Sequence, residues 1–169
     1  MFKASAGKSK HVRAYILTMH LTAHTDYALR ILMYAAARAA DTQSDGRFSV
    51  EEVASAYNIS RNHVMKIVQR LAASGYLKSY RGRNGGLALG KEPAEVRIGA
   101  LVRFLEADCA LVTCFSDAST CRICGQCVLQ TALADALETF FAKLDALTLA
   151  DLTLSDRAMR RLTRFSSPV

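Results

Sequence analysis

Residues 114–127, "CFSDASTCRICGQC", hold four of the chain's five cysteines, and Cys109 lies five residues upstream. Cys121, Cys124 and Cys127 form C-x2-C-x2-C, with Cys114 seven residues ahead of Cys121. Thiolates crowded in this way can hold zinc tetrahedrally or an iron–sulfur cluster. The run superficially matches a bacterial ferredoxin, but a ferredoxin continues with x3-C-P, and Leu129, Gln130 and Thr131 follow here. Zinc sites usually take two separated C-x2-C pairs, and no second pair exists. Spacing alone leaves both metals open. Structural disulfides are the weakest option, because the N-terminal "MFKASAGKSKHVRAYILT" carries Lys3, Lys8, Lys10 and Arg13 without the apolar stretch and cleavage site of a secretory signal. A reducing, cytoplasmic location is expected, and no apolar run is long enough for a membrane span.

A second set of residues suggests a different chemistry. The net charge is +7, and residues 60–103 alone contribute nine Lys or Arg against two Glu. Excess charge focused in one block suits a large anion, of which nucleic acid is the commonest. Within it, Ser60, Arg61, Asn62, His63 and Lys66 would share the exposed start of one helix. Arg81, Arg83 and Asn84 would sit at a hairpin tip. Arginine pairs with guanine edges and asparagine with adenine edges, while serine and lysine suit phosphate. Guanidinium groups at the tip suit a narrow minor groove. Taken singly, His63 reads as a surface histidine and any one arginine as solvated; the conjunction carries the reading. "RGRNGG" lacks the Lys-Ser/Thr ending of a phosphate loop and does not lead into a helix. No Ser/His/Asp set, paired carboxylates or nucleotide loop supports catalysis, so the chain reads as a non-enzyme.

These groups need elements to hold them. With 51% hydrophobic residues, a core can form without disulfide staples. "LTAHTDYALRILMYAAARAA" has helical apolar spacing, with Thr22 or Thr25 as cap. "SVEEVASAYN" opens on Ser49 and Glu52 in capping-box spacing. "ISRNHVMKIVQRLAASGYL" predicts a third helix capped by Ser60, lined by Val64, Ile67, Val68 and Leu71 and ended by Gly75. "YLKSY" and "LAL" read as a hairpin, with glycines 82, 85 and 86 supplying positive φ at its tip. This order is that of a winged helix-turn-helix. "RIGALVRFLEA" adds a short helix, and "VLQTALADALETFFAKLDAL" places Leu129, Leu133, Ala136, Leu137, Phe140, Phe141, Leu144 and Leu147 in one stripe. Such a stripe can fold back on its own domain, but it fits better with pairing to a second copy, since two-fold proteins read palindromic half-sites about 34 Å apart. The expected fold is mainly α with a small β-hairpin wing: a winged helix-turn-helix plus a long dimerisation helix. Its boundaries are a 1–18 extension, a 19–95 DNA-binding domain, a 96–150 cluster loop and dimerisation helix, and a 151–169 tail.

"LTAHTDYALRILMYAA", "ISRNHVMKIVQRLAASGYLKSYRGRNGGLALGK", "RIGALVRFLE" and "LVTC" with the later cysteines resemble the NsrR repressors over residues 19–154. These are bacterial winged-helix iron–sulfur regulators that sense nitric oxide, related to IscR-type proteins. Family members start near "MHLTAHTDYALR", which makes Met19 the expected first residue and residues 1–18 an extension. The resemblance implies a cytoplasmic homodimer that represses from a palindromic double-stranded DNA operator and releases it when nitric oxide attacks the cluster. The family's three cysteine ligands match Cys114, Cys121 and Cys127. IscR-type proteins take a histidine three residues after the last cysteine, and Gln130 stands there. In NsrR-like proteins with a 4Fe–4S cluster, an aspartate donated by the partner subunit completes the set, and it matches Asp26. Without the resemblance, Asp26 reads as a first-turn acid favoured by the helix dipole by ~0.3–1 kcal/mol.

The chain departs from the pattern in its extra Cys109 and Cys124 and in a longer gap from Cys114 to Cys121. Cys124 is an alternative ligand, and Cys109 reads as a buried small hydrophobe. The cluster can be 2Fe–2S or 4Fe–4S. The alternatives are a sibling regulator answering to cluster supply or oxidants, and a zinc-stabilised winged-helix factor.

Overall fold

The computed structural model describes residues 21–42, 44–82, 85–106, 115, 121–123, 126–155 and 157–159. Among them, apolar spacing decides each helix. α1 (Ala23–Ala40) buries Ala28, Ile31, Leu32 and Ala35 on one face, a helical stripe. Thr22 is its cap, with Oγ1 accepting from the Thr25 N–H at 3.3 Å. α2 (Val50–Tyr57) opens on the full capping box: Ser49 Oγ accepts from the Glu52 N–H, and the Glu52 carboxylate accepts from the Ser49 N–H. It ends at Asn58, whose φ of 53° is a left-handed conformation asparagine tolerates. Asn58, Ile59 and Ser60 form the turn into α3 (Arg61–Ala73), which Ser60 caps.

Val64, Ile67, Val68 and Leu71 of α3 face inward. Gly75, at φ 74°, reverses the chain into β1 (Leu77–Tyr80). β1 pairs antiparallel with β2 (Gly86–Leu89), Leu77 opposite Leu89 and Tyr80 opposite Gly86. At the tip, Gly82 takes the expected positive φ. Gly85 is needed for a different reason: a Cβ there would stand 2.5 Å from the Tyr80 carbonyl oxygen. Phe48 staples the loop before α2 to this wing, donating its N–H to the Leu87 carbonyl at 2.9 Å and accepting the Leu87 N–H at 2.8 Å.

α4 (Ile98–Leu105) follows a 3-10 turn at Pro93–Glu95. Its Ile98, Leu101, Val102 and Leu105 join α1 and α3 in one core with Ile31, Leu32, Ile67 and Leu71. Each such side chain stabilises the fold by ~1.5–3 kcal/mol relative to an exposed one. The result is a mostly helical chain with a two-stranded wing, as the sequence predicts.

α5 (Val128–Asp145) differs along its length. Its C-terminal end is welded to α4. Arg103 donates to both oxygens of Asp145, at 2.8 and 2.7 Å, and lies 4.3 Å over the Phe141 ring. Beyond the helix, the Leu149 N–H donates to the Val96 carbonyl and the Ile98 N–H to that of Leu147. Leu149 is fully buried. No residue of α5 is itself buried, and Val128 and Leu129 at its start are 83% and 65% exposed. The predicted stripe therefore divides: Phe141 and Leu144 pack against the core, while Leu129, Leu133, Leu137 and Phe140 do not. No described helix is long and apolar enough to cross a membrane.

Candidate nucleic-acid interface and thiol-bearing segment

The first turns of α3 bring five of the expected contact residues together. Ser60, Arg61, Asn62, His63 and Lys66 are all exposed, because the inward positions of that helix belong to Val64, Ile67 and Val68. Ser60 is partly committed to capping, its Oγ accepting from the His63 N–H at 3.4 Å. Arg61 pairs with Glu51 of α2 and reaches Met65 Sδ at 3.1 Å. The hydrogen bond from Arg61 holds the Glu51 carboxyl below the usual carboxylate range. Both partners are about three-fifths exposed. Such a surface pair is worth roughly 0–1 kcal/mol, so exchanging Glu51 for a guanine edge or a phosphate costs Arg61 little. His63 stacks on Tyr27 of α1 with ring centroids 6.5 Å apart and planes at 30°. Its imidazole thus joins two helices, which a lone-residue reading did not anticipate.

At the wing, Arg81 is exposed beside Gly82. Arg83 and Asn84 lie outside the described residues. Arg47, on the loop joined to the wing, places its guanidinium 4.4 Å from the Tyr80 ring centroid, adding a cation that the sequence reading did not single out.

Asp26 occupies the first turn of α1, where its carboxylate accepts from Arg30 Nε at 3.1 Å and pairs with Nη2 at 3.0 Å. The same guanidinium lies 5.9 Å from the ring of Tyr57, the last residue of α2. Burial pushes the Tyr57 hydroxyl up to about 12, so it remains neutral. Of the cysteines, Cys121 is exposed and Cys127 is half-buried at the cap position of α5. Cys109, Cys114 and Cys124 lie outside the described residues. Among the described residues, no three His, Cys, Asp or Glu side chains of one chain converge on a metal-holding group. Cysteine side chains are the donor type that iron–sulfur clusters take, and Asp26 stands on a separate helix from the described Cys121 and Cys127.

Where this segment leaves α4, the structure makes contacts with no counterpart in the sequence reading. Glu106 Oε1 accepts from the Thr22 N–H at 2.9 Å and from Thr22 Oγ1 at 2.8 Å. Arg70 Nη2 of α3 donates to the Phe104 carbonyl at 2.8 Å, with its guanidinium 5.0 Å over the Phe104 ring. His24 lies within the field of both; burial, then Arg70, holds its imidazole below the usual histidine range against the opposing pull of Glu106. Nothing in the sequence pattern joins residues 84 positions apart.

The model of the Rrf2 family, described as iron-dependent transcriptional regulators, matches residues 21–154. The HTH-type transcriptional regulator NsrR of Geobacillus kaustophilus (strain HTA426) is 44% identical over 144 residues, covering 85% of this chain and 95% of that protein. The structure of CymR (YrzC), the global cysteine regulator of B. subtilis, superposes with a TM-score of 0.58 at 25% identity, covering 79% of this chain and 95% of the other. IscR of T. potens superposes with a TM-score of 0.58 at 24% identity, covering 79% and 85%, and attests the fold.

Proposed function

The chain belongs to the Rrf2 family of iron-dependent transcriptional regulators, and from that premise we propose that it is a homodimeric repressor that senses nitric oxide through an iron–sulfur cluster. The observation that carries this reading is topological. The thiol-bearing segment is the covalent connection between α4, buried in the head that presents Arg61 and Asn62, and α5, whose apolar start stands in solvent.

In this reading, α3 enters the major groove. Arg61 and Asn62 address base edges, Ser60 and Lys66 hold phosphate, His63 supports the helix against Tyr27, and Arg81, Arg83 and Asn84 follow the backbone or the minor groove. Cys114, Cys121 and Cys127 hold the cluster, with Asp26 of the second copy as fourth ligand or Cys124 in its place. When bound, the cluster supplies iron reactive towards a small diatomic, and a carboxylate holds iron less firmly than thiolate does. The Asp26–Arg30 pair is nearly half exposed on both sides. Withdrawing Asp26 from it therefore costs less than ~1 kcal/mol, and the carboxylate is available to a neighbouring subunit. A ligand set shared between one copy's segment and the other's α1 fixes how far apart the two α3 helices stand. Only ligands that favour one such spacing shift DNA affinity.

Nitric oxide titrated into anaerobic cluster-loaded protein should weaken operator binding at least ~10-fold, the scale of a typical allosteric coupling. Unchanged affinity while the cluster absorbance disappears would sink the reading. Iron and sulfide counts with Mössbauer spectra on the same samples separate 2Fe–2S from 4Fe–4S. A colourless anaerobic preparation containing zinc would replace the sensor with a zinc-stabilised factor. A response to oxidant or iron starvation without one to nitric oxide would favour the sibling regulators, for which Gln130 is a poor substitute for the IscR-type histidine.

A further inference from the structure

Three helix ends meet where the thiol-bearing segment begins. Glu106 is the residue after α4, and both its hydrogen bonds from Thr22 fall on the residue that caps α1. One turn further on, the Asp26 N–H donates to the Thr22 carbonyl at 3.0 Å, so the orientation of Asp26 follows that of Thr22. Arg70, in the last turn of α3, donates to the Phe104 carbonyl and covers its ring. Both contacts are half-buried and charge-assisted, the kind that retains strength in a partly desolvated setting.

We infer that Glu106 and Arg70 are positioning residues that bolt the start of the thiol-bearing segment to α1 and α3, so that a shift at Phe104–Glu106 reorients the DNA-reading helix and Asp26 together. This rests on the proposed cluster-dependent reading of DNA. The geometry makes α3 a lever. Arg61 lies nine residues from Arg70, about 13 Å along the helix at 1.5 Å per residue. A tilt of about 5° at the Arg70 end therefore moves Arg61 by about 1 Å, enough to spoil a hydrogen bond confined to 2.7–3.2 Å. The core between the ends transmits the tilt, because close-packed Leu71, Leu101, Val102 and Leu105 leave no slack to absorb it.

The test compares full-length wild type with Glu106→Ala and Arg70→Gln, each cluster-loaded and cluster-free, for operator affinity and for amide hydrogen exchange. Wild type should show a loaded-to-free affinity ratio in the usual coupling range of ~5–150-fold, and each variant a ratio collapsed to within about twofold. Cluster-free affinity and iron content should be retained in both variants. Arg70→Lys, which keeps a donor and the charge, should recover part of the ratio. In cluster-free protein, Glu106→Ala should speed exchange at the first turn of α1, and Arg70→Gln at the end of α3. Variants that keep the wild-type ratio overturn the inference while leaving the sensor reading intact. Variants that fail to load but leave those amides unchanged overturn it as well. A wild type with no ratio at all sinks the sensor reading, and the coupling falls with it.

Discussion

Leu32 on α1 and Leu129 on α5 are the same residue type on helices of equal length with apolar stripes, yet Leu32 is fully buried and Leu129 is 65% exposed. The helices differ in what stands opposite. α1 faces α3 and α4 and closes a core with them, whereas Leu129, Leu133 and Leu137 in the first half of α5 take no part in that core. Amphipathic periodicity states that a face is to be covered; it does not state by what. The C-terminal half of the same helix sharpens the contrast. There Phe141 and Leu144 reach the core, and Asp145 is held in a two-pronged bond by Arg103. The head closes its core without the start of α5, whose Val128 and Leu129 stay exposed.

The largest test of this contrast is Leu137→Asp. It should convert the proposed dimer to monomer in sedimentation velocity and weaken operator binding at least ~100-fold, as for an interface anchor worth more than ~2 kcal/mol. The melting of the head should barely move; a persistent dimer would break the comparison. Next, Leu32→Ala should destabilise the head by ~2–5 kcal/mol in urea titrations, through lost burial and a cavity. Leu129→Ala should change it by less than ~0.5 kcal/mol, as an exposed site does.

At the reading face, Arg61→Ala or Asn62→Ala should cost ~1–3 kcal/mol of operator affinity and relax preference at one base pair. Lys66→Ala should weaken all sequences alike and reduce the salt slope by ~0.9 in a gel-shift series, the value of one phosphate contact. If all three were silent, α3 would not be the reading helix.

The smallest effect concerns the weld. The hydrogen bond from Arg103 holds the Asp145 carboxyl below the usual carboxylate range. Its folded pKa is depressed, so the contribution is fully present above the unfolded value and is lost as pH falls through the folded one. Melting curves of wild type and Asp145→Asn should differ by a constant amount above about pH 5 and converge in more acid solution, below the ~3.9 of an unperturbed aspartate. A gap that persisted into acid would mean that the pair does not hold α5 to α4.

Much of the head was legible because its signals are local. Ser49 with Glu52, Ser60 before α3 and Gly75 after it act within one turn, and the structure uses each as its spacing indicates. Of the two candidate caps for α1, Thr22 is the one that caps, while Thr25 is buried beneath it. The tip glycines were only partly understood. Gly85 is required by the approach of the Tyr80 carbonyl, which depends on how the hairpin closes. For the candidate site, residue types pointed to the exposed start of α3. The engagement of Arg61 with Glu51 and of His63 with Tyr27 had no signal, since those partners lie on other helices.

Composition and spacing were therefore enough for the order of elements, a capped helix pair and a glycine-tipped wing, and for where a basic block and a crowd of thiols fall along them. Caps, turns and stripes involve neighbours within a few residues, so the chain writes them openly. Which half of α5 rests on its own head, and the meeting of Thr22 with Glu106 and of Arg70 with Phe104, were decided only when α1, α3 and α4 packed into one core. Those bonds join groups 84 and 34 positions apart, and no local pattern specifies a contact that the packing of intervening helices creates.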